Sequence, residues 1–216
     1  MRLLLIRHGE TSWNKEEIFR GQLEVPLNET GIDQAKHIAK LLQKAPIDAV
    51  YSSPLGRALE TARLIAEPHG LAVITAPGLT DLDYGAWQGL SHQEVKERYP
   101  ELYQVWLTAP YKLRFEHGES LDDVRNRALD TVNRLSVQHR DHNVVAVSHR
   151  VVIKLLVCAI LGLGASGFWA IRQDTCAVNT IEHDEQHGFM IYGLNDTCHI
   201  RPLTAHFSKS RQAADF

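Results

Sequence analysis

Cysteine is scarce in this chain: three in 216 residues, Cys158, Cys176 and Cys198, with no CxxC pair. An odd number without paired spacing argues against a disulfide framework and points to a reducing, cytoplasmic compartment. Long apolar runs are also missing. The first, Leu3 to Ile6, is too short for the core of a signal peptide and is cut off by Arg7. The best later candidate, Val151 to Leu163, falls short of the ~18 residues of a membrane span and carries Lys154. There is no excess of one charge, since 23 Lys and Arg meet 26 Asp and Glu for a net charge of −3. The basic residues are scattered, which excludes nucleic acid and anionic membrane surfaces as bulk partners. No repeat, low-complexity tract or linker breaks the chain. These absences leave a single soluble domain with a sizeable core.

What is present is a regular alternation of strand and helix patterns. "LLLI" reads as a buried strand, and "LNETGIDQAKHIAKLLQK" carries a helical stripe at Ile32, Ala35, Ile38, Ala39 and Leu42. "IDAVYSS" is a second strand, "PLGRALETARLIAEPHG" a helix punctuated by Pro54 and Gly70, and "LAVIT" a third strand. The stretch from Leu79 to Gly118 is irregular and aromatic, with short helices expected around Ser91–Arg98 and Glu101–Leu107. Ser120 caps a helix expected to run to about Gln138. "NVVAVS" is a buried strand and "VVIKLLVCAILG" a buried helix, while "CAVNTIEH" and "GFMIYGLN" read as a closing pair of strands. This order predicts an α/β fold: a three-layer α/β/α sandwich on a mainly parallel sheet. A single domain over 1–207 is expected, with a polar tail over 208–216.

Three strands end alike. "LLLI" runs into Arg7-His8, "DAVY" into Ser52-Ser53-Pro54 with Arg57 about one turn on, and "VVAV" into Ser148-His149-Arg150. In parallel sheets ligands gather at the carboxyl ends of the strands. Two histidines and at least two arginines focused there, with helix N-termini nearby, suit a small dianion such as a phosphate monoester.

The blocks "LIRHGETSWN", "GQLEVPLNETG", "SSPLGRALETA", "LTDLDYGAWQG", "HGESLDDVRNR" and "VVAVSH" occur in order, and with them the chain resembles the histidine phosphatase superfamily, of phosphoglycerate mutase-like fold. The resemblance runs from Leu3 to about Leu163. It implies that His8 is the nucleophile and forms a phosphohistidine, and that Arg7, Arg57 and His149 hold the phosphoryl oxygens with Asn14 alongside. It also places Gly21, Gln22 and Tyr84 among the substrate-binding positions and makes about 79–118 a cap over the site. A nucleophilic imidazole must be neutral at its attacking nitrogen, so its other nitrogen needs an acceptor, expected to be a carbonyl near Gly9. Fixed arginines supply the charge neutralisation that a metal supplies elsewhere, so neither metal nor cofactor is expected.

The family's general acid is usually a glutamate, and here that register holds Asp81, with Asp83 as the competing candidate. A carboxyl beside a phosphate dianion is kept protonated for the first step and then serves as base for the hydrolytic water. Arg150 stands where the family usually has glycine. It is either an added cation for a substrate carboxylate or second phosphate, or a side chain packed outward over the helix. His183 and His187 lie among acids in "EHDEQHG" at a metal-like spacing, but between two strands they read as a solvated hairpin. His117 and Glu119 are rim candidates, with helix capping as the other role for Glu119.

The function expected is a metal-independent phosphomonoesterase for a small phosphorylated metabolite, acting as a monomer or homodimer. Within the family, the α-ribazole-5′-phosphate phosphatases and the metal-independent phosphoserine phosphatases look closest. A cofactor-dependent phosphoglycerate mutase is the alternative, although the chain lacks the longer insertion and paired arginines after the acid block. A phosphate-binding adapter without turnover is the alternative outside the enzymes.

Overall fold

The computed structural model describes residues 1–200, so the domain end expected at 207 and the tail expected over 208–216 lie outside the described residues. Six strands form one sheet: β1 (Arg2–Arg7), β2 (Ala49–Ser52), β3 (Val73–Thr75), β4 (Asn143–Ser148), β5 (Val178–Asp184) and β6 (Gly188–Asp196). Their order is β3-β2-β4-β1-β5-β6. The first four run parallel. The closing pair is antiparallel, β5 against β1 and β6 against β5.

The central strands are apolar on both faces, as a sheet covered on both sides requires. Leu3 and Leu5 of β1, with Val144 and Ala146 of β4, belong to one core cluster. Ile6, Val145 and Val147 belong to another. Helices α1 (Ser12–Lys15), α2 (Glu29–Leu42) and α3 (Gly56–Ala66) follow β1 and β2, and the apolar faces of α2 and α3 complete the second cluster. Beyond β3 come α4 (His92–Arg98), α5 (Pro100–Thr108), α6 (Leu121–Gln138) and α7 (Arg150–Ile160). The last two cover the opposite face with Val124, Ala128, Val132 and the Val151–Cys158 run. The result is the three-layer sandwich that the alternation predicts.

Local chemistry sets the boundaries. Ser91 and Ser120 each accept the N–H three residues on, and Glu94 and Asp123 bond back to them, giving capping boxes at the starts of α4 and α6. Helix α3 begins at Gly56 rather than Pro54, because Leu55 still has extended backbone. Strand β3 is shorter than "LAVIT"; it is an edge strand with β2 alone beside it, and Ile74 is exposed. Trp87, Trp106 and Phe115 of the irregular middle section pack edge to face within the same core cluster as α6 and α7.

What matters for the site is register. Arg7 lies opposite Ser148 and Ser52 opposite Val147, so β1, β2 and β4 end level. Residues 7–8, 53 and 149 therefore leave the sheet at one edge.

Candidate active site

His8 follows the last residue of β1 and is buried. Its Nδ1 lies 2.7 Å from the Gly9 carbonyl oxygen. A carbonyl can only accept, so Nδ1 carries the ring proton. Burial, then the charges of His149, Arg57 and Arg7, push the imidazole well below the usual histidine range. The ring is therefore neutral, with its lone pair on Nε2. Gly9 itself presses against the backbone of Gly31 at the start of α2, where a Cβ on either residue would overlap the other segment.

Arg7 and Arg57 are held by main-chain carbonyls. Arg7 Nη1 donates to Gln173 O at 2.7 Å. Arg57, in the first turn of α3, donates to Leu23 O at 2.9 Å and to Gly21 O at 2.6 Å. Gly21 offers that carbonyl from a left-handed conformation, φ +52°, where a side chain would meet Gln88. Burial and neighbouring cations pull Arg7 down to about 9. The Nε atoms of both arginines are buried without a protein partner, as is Nδ1 of His149. Buried donors converging on one strand edge make a cradle for an oxyanion.

His149 is fully buried, its ring centroid 5.1 Å from that of His8. Its Nε2 lies 2.7 Å from Ser53 Oγ, and its Nδ1 lies 3.6 Å from Asp81 Oδ2. The carboxylate beside Nδ1 favours a proton there, with Ser53 donating to Nε2. Burial and the charges of Arg57 and Arg20 hold this ring well below the usual range as well. His149 is thus a neutral N–H donor, and the arginines alone carry the positive charge of the cradle.

Asp81 sits among these groups, buried, with Oδ2 3.3 Å from Arg57 Nη2 and Oδ1 accepting from the Leu82 N–H. Asp83 is turned away from them, and its carboxylate accepts from Gly85 N at 2.8 Å. The backbone that presents Asp81 is held from α6 by Arg127, which donates to the carbonyls of Gly78, Thr80 and Asp81. Glu119 pairs with that guanidinium at 2.7 and 2.8 Å, so it acts behind the site, while Ser120 makes the helix cap. Gln22 also donates to Asp81 O.

The other expected residues are distributed around this centre. Asn14 uses Oδ1 to accept from Thr11 N–H and Oγ–H at the start of α1. Tyr84 is buried edge to face against Phe19, Trp106 and Phe115, and burial and Asp81 push its hydroxyl well above the usual phenol range. Arg150 is the first residue of α7, half-buried beside His149. His117 is exposed in a left-handed turn, and His183 and His187 lie in the β5–β6 hairpin, where His187 bonds Asp184. Arg20 and Arg127 are site residues outside the strand-end pattern, and Ser53, which lies within it, received no role there.

A family model described as the histidine phosphatase superfamily (branch 1) matches residues 3–197. Phosphoserine phosphatase 1 of Hydrogenobacter thermophilus is 38% identical over 93% of this chain and 94% of its own length. The adenosylcobalamin/alpha-ribazole phosphatase of Salmonella typhimurium is 34% identical over 80% of this chain and 85% of its own. Among solved structures, YhfR of Bacillus stearothermophilus superposes with a TM-score of 0.89 at 31% identity, covering 93% of this chain and 99% of that one.

Proposed function

The chain belongs to the histidine phosphatase superfamily and is a phosphoric monoester hydrolase, and on that basis we propose that it works by double displacement through a phosphohistidine on His8. The observation that carries this reading is the Nδ1 bond to the Gly9 carbonyl, which leaves a neutral ring with a lone pair on Nε2 among buried arginines. In the first step Nε2 attacks phosphorus while Arg7, Arg57 and the His149 N–H stabilise the equatorial oxygens. The bond from phosphorus to the ester oxygen breaks, and its electron pair goes to that oxygen. Asp81, protonated beside the arriving dianion, gives its proton to the leaving alkoxide, and the alcohol departs. In the second step water attacks phosphorus and passes a proton to Asp81. The P–N bond breaks, its electrons return to Nε2, and inorganic phosphate leaves.

The substrate is a small phosphorylated metabolite, with phosphoserine and α-ribazole 5′-phosphate as the first candidates to assay, since relatives carry those names. The arginine cradle supplies the charge that a metal ion would bring, so hydrolysis is expected to be insensitive to EDTA. Quenching a turnover mixture in alkaline detergent, followed by peptide mapping at alkaline pH, tests the intermediate. Phosphate should be found on the N-terminal peptide bearing His8, as an acid-labile, base-stable adduct. Label on a serine, or on the peptide bearing His149, would overturn the assignment.

A further inference from the structure

Most arginines whose contacts are described are tied down. Arg7, Arg57 and Arg127 donate to carbonyls, and Arg2, Arg114, Arg125, Arg140 and Arg172 pair with carboxylates. Arg20 and Arg150 stand apart. Among the described residues neither side chain makes an ion pair or hydrogen bond, and the Nε of Arg20 is buried without a partner. Both flank the phosphate cradle. Arg20 directly precedes Gly21, whose carbonyl holds Arg57. Arg150 directly follows His149 at the start of α7.

The two guanidiniums share surroundings as well. Phe19, next to Arg20, stacks on His92 at 4.3 Å and meets Tyr84 edge to face at 5.1 Å. The charges of Arg20 and Arg150 both act on the Tyr84 hydroxyl and on His92, and Arg150 helps pull Arg20 down to about 10. His92 is itself lowered to about 4, so it stays neutral, and its Nδ1 lies 3.1 Å from the Tyr103 hydroxyl. The surroundings are therefore two cations, a phenol and a neutral imidazole. The acid whose charge acts on Arg20 is Asp81, which already pairs with Arg57. Two partly buried guanidiniums thus repel each other beside a carboxylate that is shared with Arg57. A second anion would offset both.

We infer that Arg20 and Arg150 form a second oxyanion subsite beside the phosphate cradle, so that the preferred substrate carries a carboxylate or a second phosphoryl group close to the ester being cleaved. This rests on the phosphatase reading above and narrows it. Guanidinium groups suit both anions through paired N–H donation. An ammonium gains nothing there, since the subsite adds no free carboxylate. Among monoesters, those with an added acid group should outrank a neutral nucleoside-like ester such as α-ribazole 5′-phosphate.

Two matched pairs test this. 3-Phosphoglycerate and glycerol 3-phosphate differ in a carboxylate against a hydroxymethyl group, and 1,3-propanediol bisphosphate and its monophosphate differ in the second phosphoryl group. Their kcat/KM values are measured with p-nitrophenyl phosphate alongside, in the natural chain and in Arg20→Met, Arg150→Met and Arg150→Gly, each checked for native melting. In at least one pair the doubly anionic member should be favoured by ~30-fold, the scale of a lost charge-assisted hydrogen bond. That ratio should fall about tenfold in each variant, mainly through KM. The favoured pair tells whether the second anion is a carboxylate or a phosphoryl group. Ratios within threefold of one in the natural chain, with p-nitrophenyl phosphate still hydrolysed, would overturn the subsite alone. So would ratios that none of the substitutions moves. Failure to hydrolyse any of the five esters would overturn the phosphatase reading, and the subsite with it.

Discussion

At the scale of the residue, the chemistry depends on which nitrogen of His8 holds a proton. The Gly9 carbonyl fixes it on Nδ1, and burial with nearby arginines keeps a second proton off Nε2. Ring-carbon NMR shifts of His8 and His149 should therefore stay flat between pH 8 and pH 5.5. A midpoint near the ordinary histidine value at His8 would contradict the neutral-nucleophile account. The role proposed for Asp81 on the leaving group makes the effect of its loss depend on what leaves. Asp81→Asn should lower kcat on an alkyl phosphate by about 10²–10³-fold, and by less than about tenfold on p-nitrophenyl phosphate, whose phenolate needs no proton. Equal losses on both esters would assign Asp81 a purely structural part. Arg7, His8, Arg57 and His149 were legible because each follows a strand end at short range. Arg20 and Arg127 were not, because arginine is common on surfaces and nothing local marks the ones that fold inward.

At the scale of the element, α6 is more than a cover for the sheet. It brings Arg127 across to the carbonyls of Gly78, Thr80 and Asp81, with Glu119 as counter-charge. Arg127 is a positioning residue, and its removal should resemble a weakened Asp81. Arg127→Leu is expected to cost about 2–4 kcal/mol of stability through carbonyls left without donors. It should also lower kcat on alkyl phosphates about tenfold while sparing p-nitrophenyl phosphate and KM. A loss confined to melting temperature would show that the loop holds Asp81 without it. The elements themselves were largely readable, since the cap at Ser120 and the two-sided apolar strands announce themselves in the sequence. The start of α3 and the length of β3 were not. Pro54 and Leu55 stay outside the helix, and an edge strand pairs only as far as its single neighbour reaches.

At the scale of the whole molecule, the same burial that readies the site ties stability to pH. His8 and His149 are lowered well below 6.5 in the fold and His92 to about 4. Between the folded and unfolded values the unfolded chain binds more protons, so stability is full above pH 6.5 and declines as pH falls below it. Each histidine contributes up to ~1.4 kcal/mol per pH unit in that window. Chemical denaturation between pH 7.5 and 5 should show the decline, and His92→Phe, which keeps a ring on Phe19, should flatten it; an unchanged slope would place the dependence elsewhere. No helix among the described residues is long and apolar enough to cross a membrane. The sandwich and its level strand ends followed from alternation alone, but substrate choice did not, because it rests on residues from several segments meeting at one mouth. The claim on which the account turns is that phosphorus is attacked twice, first by His8 and then by water. Hydrolysis in ¹⁷O-water of a substrate chiral at phosphorus through ¹⁶O, ¹⁸O and sulfur labelling reads this directly. Net retention of configuration is predicted, and net inversion, the mark of direct attack by water, would contradict it.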